Sequence, residues 1–460
     1  MSLAAHLERP VGRGVTPRGA HTGAAGGAAC GDLVRISLAL DGESVGAAGF
    51  DAHGCGTAQA AASATVSLIE GRGVLDAARI GAREIASELG GLSPGKLHGA
   101  ELAADALHRA LGHAVRADAQ LAPTAGRQLV ALSGGVDSAV AALLSGSRAV
   151  CVSLELWTDP ENDGDRSCCS PQAVASARAI AHGLGLPHLS LDLRAEFRAG
   201  VVEPWLAGHA AGTTPNPCVR CNGEVRLDAM LELAQRLGAD SLVTGHYARV
   251  RGGLLRVAAD PRKDQSYMLA ALSPQAIARL RFPLGEMRKS EVRELARRHR
   301  LAVAEKTESQ DLCFLAGSGR EAFLARHGGL REREGDLVDG RGRAVARHRG
   351  AHNYTVGQRR GIGLGGGTPL YVLATDADRN TVTVGPREAL AKTTVALRDT
   401  VLHRDTFDRV RLRYHHRPIA CSALRDGTLT LEEPAYGVAP GQLACLMDGD
   451  MIVGHATITG

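Results

Sequence analysis

Residues 128–144 read QLVALSGGVDSAVAALL. A short apolar run, a Ser-Gly-Gly turn and an apolar segment of helical spacing follow one another, which predicts a strand, a loop and a helix. Gly134 and Gly135 let the backbone come close to an anion, the opening helix aims free amides at it, and Ser133 and Ser138 add hydroxyl donors. That is a cradle for pyrophosphate. No Gly-Lys-Ser/Thr closes the loop, so it differs from the Walker A pattern and simple γ-phosphate transfer is the poorer reading. Asp137 cannot ligate a phosphate directly; a Mg²⁺ bridge or helix capping accounts for a carboxylate there.

The texture around this loop extends it into a domain. QLVAL, AVCVSLEL, HLSLDL and SLVTGHY read as strands, and PQAVASARAIAHGL and EVRLDAMLELAQRL as helices with one apolar face. Alternation of this kind predicts an α/β domain with a parallel, doubly wound sheet over 128–317. Upstream, DLVRISLAL (32–40) reads as a strand, and 57–70 and 99–112 as helices. They predict a small α+β domain over 24–115, preceded by a tail (1–23) and joined by a linker, RADAQLAPTAGR (116–127). Beyond 335 the helical pattern fades and hairpin-like stretches such as TPLYVLATDADRNTVTVG take over, which predicts small β domains over 318–390 and 391–460.

Composition bounds the function. The 460 residues suit about three domains, and 44% hydrophobic content supports folded cores. A net charge of +4 is too weak by itself to imply nucleic acid, although 319–361 is dense in arginine. The first thirty residues lack the apolar core of a secretory signal, and no run of about 18 apolar residues exists, so a cytoplasmic protein with no membrane partner is expected. Ten cysteines in that setting imply reduced thiols serving as ligands, catalysts or buried apolar groups. Cys151, Cys421 and Cys445 lie in apolar strands and read as buried.

Residues 214–226, TPNPCVRCNGEVR, place Cys218 and Cys221 three apart behind a Pro-Asn-Pro brace. Pro215 and Pro217 stiffen the segment, so the pair is expected to leave a rigid loop. A half zinc site, a redox dithiol, an iron-sulfur ligand pair and a nucleophile are all compatible with that spacing.

SGGVDS resembles the loop of the PP-loop ATP pyrophosphatases, which cleave ATP to AMP and pyrophosphate while adenylating a carbonyl oxygen. TPNPCVRCN, TGHYARV, KDQSYMLAAL, FPLGEMRKSEVRELA, ESQDLCFL and HNYTVGQRRGIG then follow in the order found in bacterial tRNA-specific 2-thiouridylases, a resemblance covering 128–460. It implies ATP-dependent conversion of the wobble uridine, position 34, of tRNA to 2-thiouridine. A uridine C2 carbonyl is a poor electrophile; adenylation of its oxygen creates a leaving group that a sulfur nucleophile can displace. By resemblance, Cys313 carries a persulfide and Cys221 releases its sulfur through a transient disulfide. ATP contacts fall on Ala131, Leu132, Ser133, Gly134, Gly135, Val136, Asp137, Ser138, Leu154 and Gly245. Contacts to tRNA fall on Asn216, Pro217, Cys218, His246, Lys263, Asp264 and Gln265, and on Arg413, Tyr414 and Gln442 in the last domain, expected as a C-terminal β-barrel over 391–460; the central domain over 318–390 is expected to bind tRNA. The target base must leave its stack to reach such a site. Many relatives carry Asp at the position of Cys218. The thiol here leaves a second reading open, a [4Fe-4S] cluster on Cys218, Cys221 and Cys313, and a PP-loop amidating ligase is a third.

Residues 24–110 resemble the IscU/NifU-type iron-sulfur scaffolds. AACGDLV, HGCGTAQAAASA and KLHGAELAADAL carry Cys30, Asp32, Cys55 and His98, donors suited to Zn²⁺ or an iron-sulfur cluster. The family's third cysteine is Gly99 here. A sulfur-delivery role toward the following enzyme is expected, with a cysteine desulfurase or other sulfur donor as partner. Adjacent Cys168 and Cys169 either receive sulfur or cap a helix.

Overall fold

A computed structural model describes residues 2–26, 31–159, 161, 170–307, 312–363 and 369–459. The first unit is an antiparallel sheet of β1 (His21–Gly26), β2 (Leu33–Asp41) and β3 (Ser44–His53). Helices α1 (Leu3–Glu8), α2 (Gly56–Ile69), α3 (Val74–Ala77), α4 (Ala82–Glu88) and α5 (Leu97–Ala117) complete it. The residues expected to form a tail over 1–23 belong to this fold instead. His6 is fully buried with its Nδ1 2.9 Å from Ser63 Oγ, and the same hydroxyl accepts from the Val11 amide. A buried hydrogen-bonded histidine supplies the order that composition does not reveal.

The second unit is a five-stranded parallel sheet in the order β10-β7-β4-β5-β6. Its strands are β4 (Gln128–Ala131), β5 (Ala149–Glu155), β6 (His188–Asp192), β7 (Ser241–Val243) and β10 (Leu280–Arg281). The chain winds outward from β4 through β5 to β6, then returns to β7 on the other side of β4. The crevice at the carboxyl ends of β4 and β7 is therefore the switch point where such sheets bind ligands. Helices α6 (Val136–Ser145) and α7 (Pro171–Gly183) flank this sheet.

The two units are welded. Helix α5 lies along the edge strand β6, and a Cβ added at Gly112 would sit 1.8 Å from the Ser190 carbonyl oxygen, so only glycine allows this approach. Its buried alanines and leucines join one apolar core with β5 and β6. Residues 118–127, expected as part of a linker, are pinned as well: the Leu121 amide donates to Arg236, that of Thr124 to Gly238 and that of Ala122 to Glu43.

The strands β8 (Arg249–Arg251) and β9 (Leu254–Arg256) leave the second unit as a hairpin whose β9 pairs with strand Met451–Ile458. That strand also pairs with Ala391–Leu402, closing the strands between 391 and 458 into a six-stranded barrel. Between the sheet and the barrel, helix Arg320–Gly328 packs on helix Glu203–Ala210 of the second unit, with Phe323 and Leu324 in its apolar core, and a four-stranded sheet follows over 335–385. No helix among the described residues is long and apolar enough to cross a membrane.

Candidate active site

The Ser-Gly-Gly loop follows β4, as its sequence predicts. Gly134 has φ +71°, and a Cβ there would lie 2.7 Å from the Ala173 carbonyl oxygen, so the loop needs a glycine on both counts. Ser138 Oγ accepts from the Ser133 amide and donates to the Gly135 carbonyl, each at 3.1 Å, which holds the loop in register. No side chain caps α6, the condition an incoming phosphate requires. A cavity of about 250 Å³ opens here, lined by Ala131, Leu132, Ser133, Asp137, Ser138, Leu154 and Gly245 among others. Gly134 and Gly135 belong to the loop but do not line this cavity, and Val136 turns away into an apolar cluster with Val140 and Tyr247.

Asp137 is not a free carboxylate. Lys289 Nζ lies 2.7 and 2.8 Å from its two oxygens and the Tyr247 hydroxyl donates to Oδ1 at 2.8 Å. With a cation already on both oxygens, the carboxylate does not fit the Mg²⁺-anchoring role considered from the sequence. Lys306 reaches the same loop, donating to the Gly134 carbonyl at 3.1 Å. Sequence reasoning missed all three residues, although Tyr247 and Lys289 sit inside the motifs TGHYARV and FPLGEMRKSEVRELA.

Of the two cysteines of TPNPCVRCN, Cys218 stands on a short helix (Pro217–Arg220) and Cys221 opens the wide helical turn that follows, so neither lies in a loop. Asn216 caps the short helix, its Oδ1 accepting from the amides of Cys218 (3.1 Å) and Val219 (3.4 Å), and Pro217 occupies the first turn. Asn before Pro is the signal that marks this start. A wide turn, Cys221–Arg226, then passes into helix Leu227–Arg236. Cys218, Cys221 and Cys313 all line one cavity of about 810 Å³ with Pro217 and Tyr414.

This thiol cavity adjoins the phosphate-loop cavity: Leu156, Arg226, His246 and Gln265 line both. Arg226 Nη2 donates to His246 Nε2 at 3.1 Å, so Nδ1 carries the ring proton and faces Thr244 Oγ1 at 2.8 Å. Burial, with the Arg226 charge second, pushes the His246 pKa down to about 3. The imidazole is a fixed neutral spacer, and Arg226 brings the permanent charge to this junction.

The other expected tRNA contacts are dispersed. Asn216 and Gln442 border a third cavity of about 460 Å³, and Gln442 donates to the Thr214 carbonyl. Arg413 donates to the Val356 carbonyl at 3.2 Å. Asp264 is buried, accepting from Arg411 (2.6 Å) and Ser266 Oγ (2.9 Å), which ties the sheet to the barrel and turns its carboxylate away from solvent. Lys263 is half-buried next to it.

In the first unit, Asp32 Oδ1 accepts from the Cys55 amide at 2.7 Å and Oδ2 from the Cys55 thiol at 3.1 Å. These hydrogen bonds hold the Asp32 carboxyl below its usual range. His98 is exposed on α5. A Cβ at Gly99 would sit 2.9 Å from the Ala58 amide nitrogen, so the missing third cysteine has no room at this helix crossing. Cys30, Cys168 and Cys169 lie outside the described residues. Among the described residues, no group of three or more His, Cys, Asp or Glu side chains is arranged to hold a metal ion. Cys151, Cys421 and Cys445 are buried, and burial pushes their thiols up to about 12, 11 and 12.

Comparison with known proteins matches four family models in sequence. They are a NifU-like N terminal domain (residues 2–117), a tRNA methyl transferase HUP domain (127–317), a tRNA methyl transferase PRC-barrel domain (321–386) and an aminomethyltransferase beta-barrel domain (393–458). The chain is 43% identical over 477 residues to the bifunctional protein NifU/MnmA of Rubrobacter xylanophilus, covering 98% of this chain and 97% of that one. It is 43% identical to the tRNA-specific 2-thiouridylase MnmA of Thermobifida fusca, over 72% of this chain and 95% of the relative. The corresponding protein of Geobacter metallireducens is 40% identical, over 72% and 96%.

Proposed function

The chain belongs to the family of bifunctional NifU/MnmA proteins, and on that premise we propose that it is an ATP-dependent tRNA-uridine 2-sulfurtransferase acting at the wobble position, with an amino-terminal module that serves sulfur or iron-sulfur delivery. The observation that carries the reading is the shared wall of two cavities. A nucleotide held by the Ser-Gly-Gly loop lies beside a base held among Cys218, Cys221 and Cys313, with Arg226 between them.

The residues divide the work. The loop amides and Ser133 hold the β,γ-phosphates while the uridine O2 attacks the α-phosphorus and pyrophosphate leaves. Arg226 supplies positive charge where charge builds on the phosphoryl oxygens, and Lys289 neutralises the Asp137 carboxylate that would otherwise repel them. The terminal sulfur of a persulfide on Cys313 then attacks C2, and AMP departs with the former O2. The Cys221 thiolate attacks Cys313 Sγ, forms the disulfide and leaves the terminal sulfur on the base as the thiocarbonyl. An external dithiol restores both thiols. Cys218 positions its neighbours in the same cavity. A cysteine desulfurase is the natural class of donor for the persulfide.

Mass spectrometry of tRNA nucleosides after incubation with ATP and a sulfur source tests the assignment. The expected product is 2-thiouridine with stoichiometric AMP. An amidated base, or AMP release with no thionucleoside, would reject it.

A further inference from the structure

The two halves of this chain point their thiols in opposite directions. Three contacts fix how α5 runs on the edge of the parallel sheet. His108 Nδ1 lies 2.7 Å from the His188 carbonyl oxygen, Gly112 abuts Ser190, and Arg116 pairs with Glu196 at 2.8 Å. Four helical residues rise about 6 Å and two strand residues about 7 Å, so this matched progression means that α5 runs parallel to β6. Strand β1 runs the other way along α5: Thr22 meets His113 and Ala24 meets Arg109, through carbonyl contacts of 3.0 and 2.6 Å. Both courses carry the Asp32–Cys55 end of the first unit beyond the amino edge of the sheet, where Gly99 touches Ala58 three residues past Cys55.

The thiol cavity lies at the other edge. Its wall begins at Leu156, just past the carboxyl end of β5. From Ser190 to the carboxyl end of β6 is about 7 Å, and from Gly112 back to Gly99 is about 20 Å. Cys55 and the cavity are thus separated by on the order of 25 Å along the strands. Sulfur exchange between thiols needs bonding contact: the acceptor thiolate takes the terminal sulfur of the persulfide and the donor leaves as a thiolate, with no net oxidation. The weld of α5 to β6, made at backbone contact, blocks a swing that would close this gap.

We infer that sulfur does not pass from Cys55 to Cys313 or Cys221 within one molecule; any sulfur that leaves the amino-terminal unit for the cavity travels between molecules. The inference rests on the thiolation reading above. Its test uses three full-length variants: Cys30→Ser/Cys55→Ser, Cys313→Ser, and wild type. Each of the first two is co-expressed with the other, so that mixed oligomers form, and Cys313→Ser is co-expressed with wild type as the reference. All are supplied with a cysteine desulfurase, L-cysteine, ATP and tRNA. Transfer between molecules predicts that the two variants together thiolate tRNA at the rate of the reference mixture. Full activity of the double variant alone also supports the inference, because the cavity then takes sulfur without an amino-terminal thiol. The inference is overturned if the double variant is inactive and stays inactive beside Cys313→Ser while the reference mixture works. A wild-type protein that makes no 2-thiouridine would instead reject the thiolation reading.

Discussion

Arg109 of the amino-terminal unit clasps Glu155 of the catalytic sheet through Nε and Nη2, at 2.6 and 3.1 Å. The carboxylate is almost wholly buried, with 9% of its side chain exposed; burial works to lower the Arg109 pKa, but the hydrogen bonds and charge of Glu155 outweigh it and hold the pKa above its usual value. Glu155 stands between Leu154 and Leu156, which line the nucleotide and thiol cavities.

Removing one partner strands the other. Arg109→Met leaves the Glu155 charge buried and is expected to cost roughly 3 kcal/mol of stability and to raise KM for ATP. Arg109→Met/Glu155→Gln should recover most of the stability. Urea unfolding and ATP-dependent pyrophosphate release measure the two effects; a single variant as stable as wild type would contradict the clasp.

Deleting residues 1–117 is expected to yield an aggregating protein rather than a smaller active enzyme, because it bares the unpaired edge of β6 and the apolar face under α5. Size-exclusion chromatography and thermal unfolding decide. A monodisperse truncation with wild-type Tm would show that the two units are merely tethered.

Lys289→Met should lower pyrophosphate release by about 100-fold, because it leaves the Asp137 carboxylate uncompensated beside the incoming phosphates, a penalty of the size of one misplaced charge at a developing anion. Lys289→Arg should retain part of the activity. Tyr247→Phe leaves the cation in place and should cost far less. Equal rates in Lys289→Met and wild type would remove the lysine from the reaction.

Cys218→Ser should keep most of the thiolation activity, whereas Cys221→Ser and Cys313→Ser should each fall to background while still releasing pyrophosphate. Iron analysis of protein purified anaerobically accompanies the assay. Loss of both iron and activity in Cys218→Ser would favour a three-thiolate cluster over the persulfide relay.

Acid should unfold the protein through its buried histidines. Burial, with nearby arginine charge second, holds His246 at about 3 and His209 at about 4, against about 6.5 in an unfolded chain. The unfolded state therefore takes up protons first as pH falls. The stability due to neutral burial is complete above about pH 6.5 and is lost progressively toward pH 4, by up to about 1.4 kcal/mol per pH unit for each histidine. Urea titrations at pH 7, 6 and 5 measure the slope; a flat profile would refute the burial of neutral rings.

The phosphate loop was legible because its strand, glycines and helix are adjacent in the chain, and local chemistry specifies them. The three cysteines were legible as residue types through their motifs. Long-range pairing was not. Asp137 and Lys289 are 152 positions apart, and no local pattern says that a cation will neutralise the loop carboxylate. Asp264 is expected from its motif as a tRNA contact, yet Arg411, 147 positions away, draws it inside. Helix α5 reads as an ordinary amphipathic helix, and only the approach of Gly112 to Ser190 reveals that one of its faces belongs to another unit. The Asn216 cap was readable, but the flanking prolines suggested a loop.

The seam between β9 and the barrel strand Met451–Ile458 bears on how an RNA is told from its neighbours. Asp450 holds both Arg249 and Arg256, and the Tyr267 hydroxyl donates to the Leu443 carbonyl at 2.8 Å, so the barrel is bolted to the catalytic sheet. Barrel and thiol cavity act as a caliper of fixed span. On the proposed thiolation, an RNA that rested on the barrel would have to bring its own base across that span, with the work of bending falling on the RNA and not on the protein. Under that reading, stiffness of the RNA arm that carries the target uridine becomes a property the enzyme reads, with no side chain assigned to read it.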